Sequence, residues 1–519
     1  MPDREDSKRK PASSAAPPDE RTSTERESAE TASADRTSGR ASGESQRGIR
    51  AAARRFLDEI GDQACSVVVD LGSSFEVARP DKSRLKRLQD IAGRDAMPVF
   101  DPRPQRSATV ASLSKTQGPP VPGFDTARFV EFSAESIAEA GDLVTEIRKG
   151  MADESLEALP VPTAVPALGP ATFDAMPDTA LPETPDFTNF QGYLSPGPAG
   201  LGFFEAWNWP GGTGAGVTII DVEGGWRTSH VELAVARFSL WAGSNSEAAA
   251  WMEHGTAVVS LLAAAHDGHG TSSICPGARV GMVSVFEKRN GQQRIANSIA
   301  AAGDLLNAGD VILLELQRPG PRTSYASDPD QKGYVPLTFW PDVRAVVRDI
   351  VSRGIAVISV GGNGGENLDD EIFSGRFDRA RNDSGCIMVG AGAPPNGTFG
   401  KARGRMDFSN YGSIIDVQAW GHGVVTAGYG DLWGGEAARD QRYTAHFMGT
   451  SSAAPLIAGV VACIQGRHKS VYGTPVNPLY LREVFRRIGW SPEADASNDK
   501  PSFVLQPDLA QLFAALDLV

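Results

Sequence analysis

The chain predicts an α/β fold, a mainly parallel sheet flanked by helices over residues 196–519, preceded by a small α+β domain. Three observations carry this reading. Short β-rich runs recur, among them Thr218–Asp221, Val280–Phe286, Asp310–Gln317 and Ile355–Val360. Between them lie stretches with helix-like apolar spacing or dense small residues, such as His254–Ala265, Ser298–Asn307 and Asp342–Arg353, as expected of strands joined by crossover helices. One run ends in an acid, Asp221, and another leads through a Gly-Gly pair to an amide, Asn363. Strand ends of this kind are where open α/β sheets gather ligands and catalytic groups.

A chain of 519 residues is long for one domain and suits two with tails. Lys+Arg 50 against Asp+Glu 64 leaves a net charge of -14, which argues against general nucleic-acid binding. Four scattered cysteines, Cys65, Cys275, Cys386 and Cys463, lack zinc-ligand spacing and read as small buried hydrophobes. No apolar run is long enough to span a bilayer. No hydrophobic stretch follows the charged N-terminus, so a cytoplasmic location is expected, with export by a route the sequence does not declare as the alternative.

Taken in order, residues 1–48 are Ser/Thr/Ala-rich with acids and bases interspersed, and are expected to be a disordered tail. Residues 49–165 change character. Ala64–Leu71 reads as a strand, Asp81–Ala92 as an amphipathic helix with Leu85, Leu88 and Ile91 on one face, and Met97–Phe100 as a short strand. Ala127–Phe132 reads as a strand, Ser136–Lys149 as a helix and Leu156–Pro162 as an edge strand. Two β–α passes suggest a small α+β domain, with a ferredoxin-like arrangement as one candidate. Residues 166–195 are Pro-rich and read as an extended linker, whose Asp186–Tyr193 end carries aromatics that dock on the following domain.

The stretch on which the second domain turns is Phe447-Met-Gly-Thr-Ser-Ser-Ala-Ala-Pro-Leu-Ile-Ala-Gly459. Ser452–Ile464 reads as a buried helix, with Pro455 suited to its first turn and Gly449 to a tight entry turn. Ser451 at its head has two readings on this stretch alone: a helix cap, or a nucleophile beside free N–H groups and the positive end of a helix dipole. A serine nucleophile needs a base. Of seven histidines only His254 opens a helix-like apolar segment at a glycine turn. Asp221 is the carboxylate expected to orient its imidazole, and Asn363 the side-chain donor to an oxyanion.

The segments around Asp221, His254, Asn363 and Gly449–Pro455 resemble, in that chain order, the subtilisin-like (S8) serine peptidases. Cys275–Ala278, Asp383–Gly390 and Phe408–Gly412 are similar to further runs of that family. The resemblance implies a subtilisin-like domain with an Asp221-His254-Ser451 triad, an Asn363 oxyanion hole and a peptide or protein substrate. It implies that Leu316 and Gln317 lie on a substrate-pairing strand, in place of the family's small residues. Gly361 and Gly362 would form one wall of the specificity pocket. It also implies that residues 49–165 are a propeptide and intramolecular inhibitor, against the alternative of an unrelated accessory domain. No cofactor or metal is expected. Many members of the family bind calcium, yet no loop here carries a clear cluster of acids, and Asp267-Gly-His-Gly270 is a weak metal motif. Glu223 is expected to fix its loop and Glu253 to be structural, while His422 and His446 read as packing residues. The same fold could instead transfer the acyl group to an amine, as a peptide ligase or macrocyclase, or serve as a peptide-binding scaffold without turnover.

Overall fold

The computed structural model describes residues 65–71, 82–100, 128–152, 156–167, 183–234, 239–493 and 503–519. The expected tail (1–48) lies outside them, as does half of the expected linker, residues 168–182.

The N-terminal layer comprises β1 (Cys65–Asp70), α1 (Lys82–Ala92), β2 (Met97–Pro98), β3 (Phe129–Ala134), α2 (Ile137–Gly150) and β4 (Glu157–Val161). Its strands run in the order β2-β3-β1-β4 with every neighbouring pair antiparallel. This is the split β-α-β pattern of a ferredoxin-like sheet. Strand alternation divides its faces. Val67 and Val69 join Leu143, Val144 and Ile147 of α2 in a small core. Val68, Phe129 and Leu159 point the other way and join the core of the second domain beside Trp340 and Val343. The Trp340 indole donates to the Pro160 carbonyl at 2.9 Å, tying the two layers.

The second domain is built on seven parallel strands: β6 (Thr218–Glu223), β7 (Leu240–Ala242), β8 (Arg279–Ser284), β9 (Val311–Leu314), β12 (Ala356–Val360), β13 (Ile387–Gly392) and β14 (Val417–Trp420). Their spatial order is β14-β13-β12-β9-β6-β8-β7. Helices cover both faces, because alternate apolar residues of each strand need burial on both sides. On one face α3 (Ala249–Ala263) and α6 (Thr450–Tyr472) pack against Ile219, Leu313 and Ile358. On the other, α4 (Ile295–Asp304) and α5 (Pro341–Ser352) pack against Ile220, Ile312 and Val357. A hairpin of β15 (Val424–Ala427) and β16 (Tyr443–Phe447) leads into α6. The segment 186–193 docks as expected: Phe187 is buried against Tyr443, and the Tyr193 hydroxyl donates to the Val425 carbonyl at 2.6 Å.

A third, three-stranded sheet differs from the sequence reading. Val165–Pro166, at the expected start of the linker, forms β5 and pairs antiparallel with β10 (Leu316–Pro319), whose other neighbour is β11 (Tyr334–Pro336). The prolines around β5 made it read as linker. An edge strand tolerates them because it donates few ladder hydrogen bonds. Among the described residues no helix is long and apolar enough to cross a membrane.

Candidate active site

Helix α6 starts at Thr450, two residues before the expected Ser452, so Pro455 falls in its second turn. Its entry residue Gly449 has φ 107°, a conformation that L side chains seldom adopt. Ser451 is fully buried at the helix N-terminus, and its backbone N–H donates to the Ala167 carbonyl at 3.3 Å. Its hydroxyl donates to the Glu315 carbonyl at 3.4 Å.

Asn363 follows β12 and is buried. Its amide nitrogen donates to the same Ala167 carbonyl at 2.6 Å. Its amide oxygen accepts from the backbone N–H and the hydroxyl of Thr450, both at 2.9 Å. Those two donors settle which way the amide faces. The Asn363 backbone N–H donates to Gln317 Oε1 at 2.8 Å, and Gln317 Nε2 donates to Gln331 Oε1 at 2.7 Å. The Ala167 carbonyl thus sits between two converging donors, the arrangement that stabilises a tetrahedral oxyanion. The Ala167 N–H donates to the Glu315 carbonyl at 3.0 Å. With Leu316 opposite Pro166 and Gln317 opposite Val165, residues 165–167 add a strand to β10 as an extended peptide would. Leu316 and Gln317, the expected substrate-pairing residues, are paired here with the chain's own residues 165 and 166. The Gln317 side chain is buried and braces Asn363 instead of facing outward.

His254 lies in the second turn of α3, which begins at Ala249. Its ring is fully buried, and burial pushes it down to about 3. The expected partner is not the one it has. His254 Nδ1 meets Glu223 Oε2 at 2.6 Å. Asp221 instead accepts from the Trp226 indole N–H at 2.7 Å, and its other oxygen has no hydrogen-bond partner among the described residues. The physical reason is strand alternation: Asp221 and Glu223 are two apart on β6, so both side chains project to the face covered by α3. The longer Glu reaches the imidazole, while Trp226, buried beside α3, claims the Asp. His254 Nε2 has no hydrogen-bond partner among the described residues.

A third carboxyl completes the site. Glu315 is fully buried between β9 and β10, and neither of its carboxyl oxygens has a hydrogen-bond partner among the described residues. Burial, then the charge of Asp221, pushes it well above the usual carboxylate range, with the Ser451 hydroxyl as a polar neighbour. Burial raises Asp221 and Glu223 in the same way, Asp221 further through Glu223.

The subtilase family model matches residues 234–487. Those residues belong to the subtilase family. The chain is 26% identical over 263 residues to subtilisin amylosacchariticus of Bacillus subtilis subsp. amylosacchariticus, an overlap of 50% of this chain and 58% of the relative's length. It is 29% identical over 243 residues to a calcium-dependent protease of Nostoc sp., covering 45% of this chain and 35% of that one. The chain thus spans little more than half the length of the curated relatives it matches first. Fervidolysin from Fervidobacterium pennivorans, described as a keratinolytic enzyme related to subtilisin, shares the fold, with a TM-score of 0.52 and 16% identity over 87% of this chain and 61% of that one.

Within this subtilase fold the remaining expectations can be placed. Gly361 and Gly362 are buried at the end of β12, beside Asn363. Gly362 has φ 90°, and an added Cβ would come within 2.6 Å of Asn410 Nδ2. Asn410 braces this turn by donating to the Gly361 carbonyl at 2.8 Å. Glu253 is structural: it pairs with Arg227 and Arg442 and accepts from the Tyr429 N–H at 2.7 Å. His446 pairs with Asp431 at 2.7 Å, and His422 stacks on Phe399. His269 meets Glu183 at 2.9 Å on an exposed loop. Among the described residues no group of three His, Cys, Asp or Glu side chains is placed to hold a metal ion. Sequence reasoning missed the bracing roles of Thr450, Gln331 and Asn410, and the paired strand β5. Thr450 was detectable, since it directly precedes Ser451. Gln331 carries no local signal.

Proposed function

We propose that the chain is a serine endopeptidase whose first substrate is itself, cut between Ala167 and Leu168, with the N-terminal layer retained afterwards as an inhibitor. One observation carries this reading. The Ala167 carbonyl accepts from both Asn363 Nδ2 and the Ser451 N–H, while residues 165–167 pair with β10 as a bound peptide would.

In the proposed reaction the Ser451 hydroxyl oxygen bonds to the Ala167 carbonyl carbon and passes its proton to His254 Nε2. The carbonyl oxygen becomes an oxyanion held by Asn363 and the α6 terminus. The C–N bond to Leu168 then breaks, and the leaving amine takes the proton from His254. Water, activated by the same imidazole, releases the Ala167 carboxylate and restores Ser451. A carboxylate behind Nδ1 supports the transient imidazolium. A released segment 165–167 would still fill the cleft, which makes the N-terminal layer a competitive inhibitor until it is removed.

The test is intact-mass analysis of the purified chain beside Ser451→Ala over time. The expected result is a pair of fragments meeting after Ala167 in the wild type and an uncut variant. Wild type that stays whole and turns over no peptide overturns the reading. Supplying a peptide amine and weighing the products separates hydrolysis from amine transfer.

A further inference from the structure

We propose that Glu223, not Asp221, is the residue that positions His254 and balances its charge during catalysis, with Asp221 committed to anchoring Trp226. The inference rests on the peptidase reading above and names a residue that the family's pattern does not predict.

Four observations support it. First, among the described residues the hydrogen-bond partner of the His254 imidazole is Glu223, whose Oε2 meets Nδ1 at 2.6 Å. At that length it is a short nitrogen–oxygen hydrogen bond. Second, Glu223 is itself held: its Oε1 accepts from the Gly224 N–H at 3.1 Å, fixing the carboxyl plane. Third, the Asp221 oxygen that has a partner is bonded to an indole that is fully buried and cannot turn away. The Trp226 backbone is clamped by Asn245, which accepts from its N–H at 2.9 Å and donates to its carbonyl at 3.0 Å. Fourth, the space beside His254 is full. A Cβ at Gly255 would come within 2.8 Å of the Trp226 ring, so Gly255 is what admits the indole between β6 and α3.

The ionisable groups around Glu223 come from every element packed there: Asp221 on the same strand, His254 from α3, Glu315 after β9, and Tyr429 beyond β15. Three acids face one base in a dry site. Burial alone favours the neutral form of each. When His254 takes the Ser451 proton, the group best placed to carry the balancing negative charge is the one already bonded to Nδ1.

The experiment compares Glu223→Gln, Glu223→Asp and Asp221→Asn in the full chain, with Ser451→Ala and His254→Ala as references. Self-cleavage rate and peptide kcat/KM are followed over pH, and the low-field proton resonance of the His254 Nδ1–H is recorded in a Ser451→Ala background. The expected result for Glu223→Gln is a loss of about 10⁴-fold, the size of effect seen when a triad acid becomes an amide. Its residual activity should rise with pH, and the low-field resonance should disappear. Glu223→Asp should recover part of the activity and the resonance. Asp221→Asn should lose no more than about tenfold and keep the resonance.

The proposal is overturned if Asp221→Asn removes the resonance and as much activity as Glu223→Gln, or if Glu223→Gln stays within tenfold of wild type. Should Glu223→Gln fail to fold, Glu223→Asp and the resonance in Asp221→Asn give the same decision. Full activity in Ser451→Ala or His254→Ala would overturn the peptidase reading itself, whereas inactive references beside an active Glu223→Gln overturn this inference alone.

Discussion

Thr450 donates two hydrogen bonds to the amide oxygen of Asn363, one from its backbone and one from its hydroxyl, both at 2.9 Å. The residue preceding Ser451 therefore aims the Asn363 amide that faces the carbonyl of Ala167. Ser451 and Asn363 are thus positioned by the same helix start, so loss at either one disturbs the other.

Asn363→Ala should lower kcat by about 10²–10³, the usual result of losing one oxyanion donor, with KM little changed. Thr450→Val keeps the shape and the backbone donor but removes the hydroxyl. A smaller loss, about 3–10-fold, is expected, because one of two anchors remains and a neutral hydrogen bond contributes about 0.5–1.5 kcal/mol. Steady-state kinetics on a peptide substrate checks both, and equal losses in the two variants would refute the anchoring role.

Ala167→Phe should stop cleavage at this position. Ala167 is fully buried, with its carbonyl held between two donors. A phenyl ring there must displace either β5 from β10 or the carbonyl from its donors. A self-cleavage rate reduced at least about 100-fold is expected by mass analysis. Cleavage at the wild-type rate and position would show that this carbonyl is not the one attacked.

Gly362→Ala should destabilise the domain by about 1–3 kcal/mol, because a residue with a Cβ is strained at this backbone geometry. The φ of 90° and the 2.6 Å approach to Asn410 act together. Thermal unfolding measured in the Ser451→Ala background, where self-cleavage cannot interfere, reads this directly. Activity should fall as well, since the next residue is Asn363.

The stability of the fold should fall in acid partly through His422. Burial, and then the neighbouring His446, pushes this imidazole down to about 3 from an ordinary value near 6.5. The unfolded chain therefore binds a proton that the folded chain refuses as pH drops below about 6.5. Stability attributable to His422 is full above that value and declines towards pH 3, by up to about 1.4 kcal/mol per pH unit. His422→Gln should flatten the dependence in that window. Urea unfolding at pH 7, 5.5 and 4.5 would measure it, and an unchanged slope would count against the assignment. The raised acids Asp221, Glu223 and Glu315 act in the opposite sense. Their contribution is greatest below their unfolded values, near 4, and is lost as pH rises.

Much of this molecule could be read before folding. The sequence by itself determined the alternation of buried strands and helices, the strand ends that carry Asp221 and Asn363, and the helix start that carries Ser451. These follow from local rules: apolar period, glycine at tight entries and small residues in a crowded helix. The α+β character of the N-terminal layer was legible for the same reason.

What only the tertiary structure decided is which groups meet. That Glu223 and not Asp221 reaches His254 depends on where Trp226 packs, a contact between strand β6, helix α3 and the loop joining them. Alternation put both acids on one face but could not say which the indole would claim. That Val165–Ala167 enters the cleft depends on pairing with Leu316 and Gln317, some 150 residues away. A proline-rich stretch looks like linker until a partner strand supplies its hydrogen bonds. Side-chain reach and long-range pairing are set by packing in three dimensions, and no local pattern encodes them.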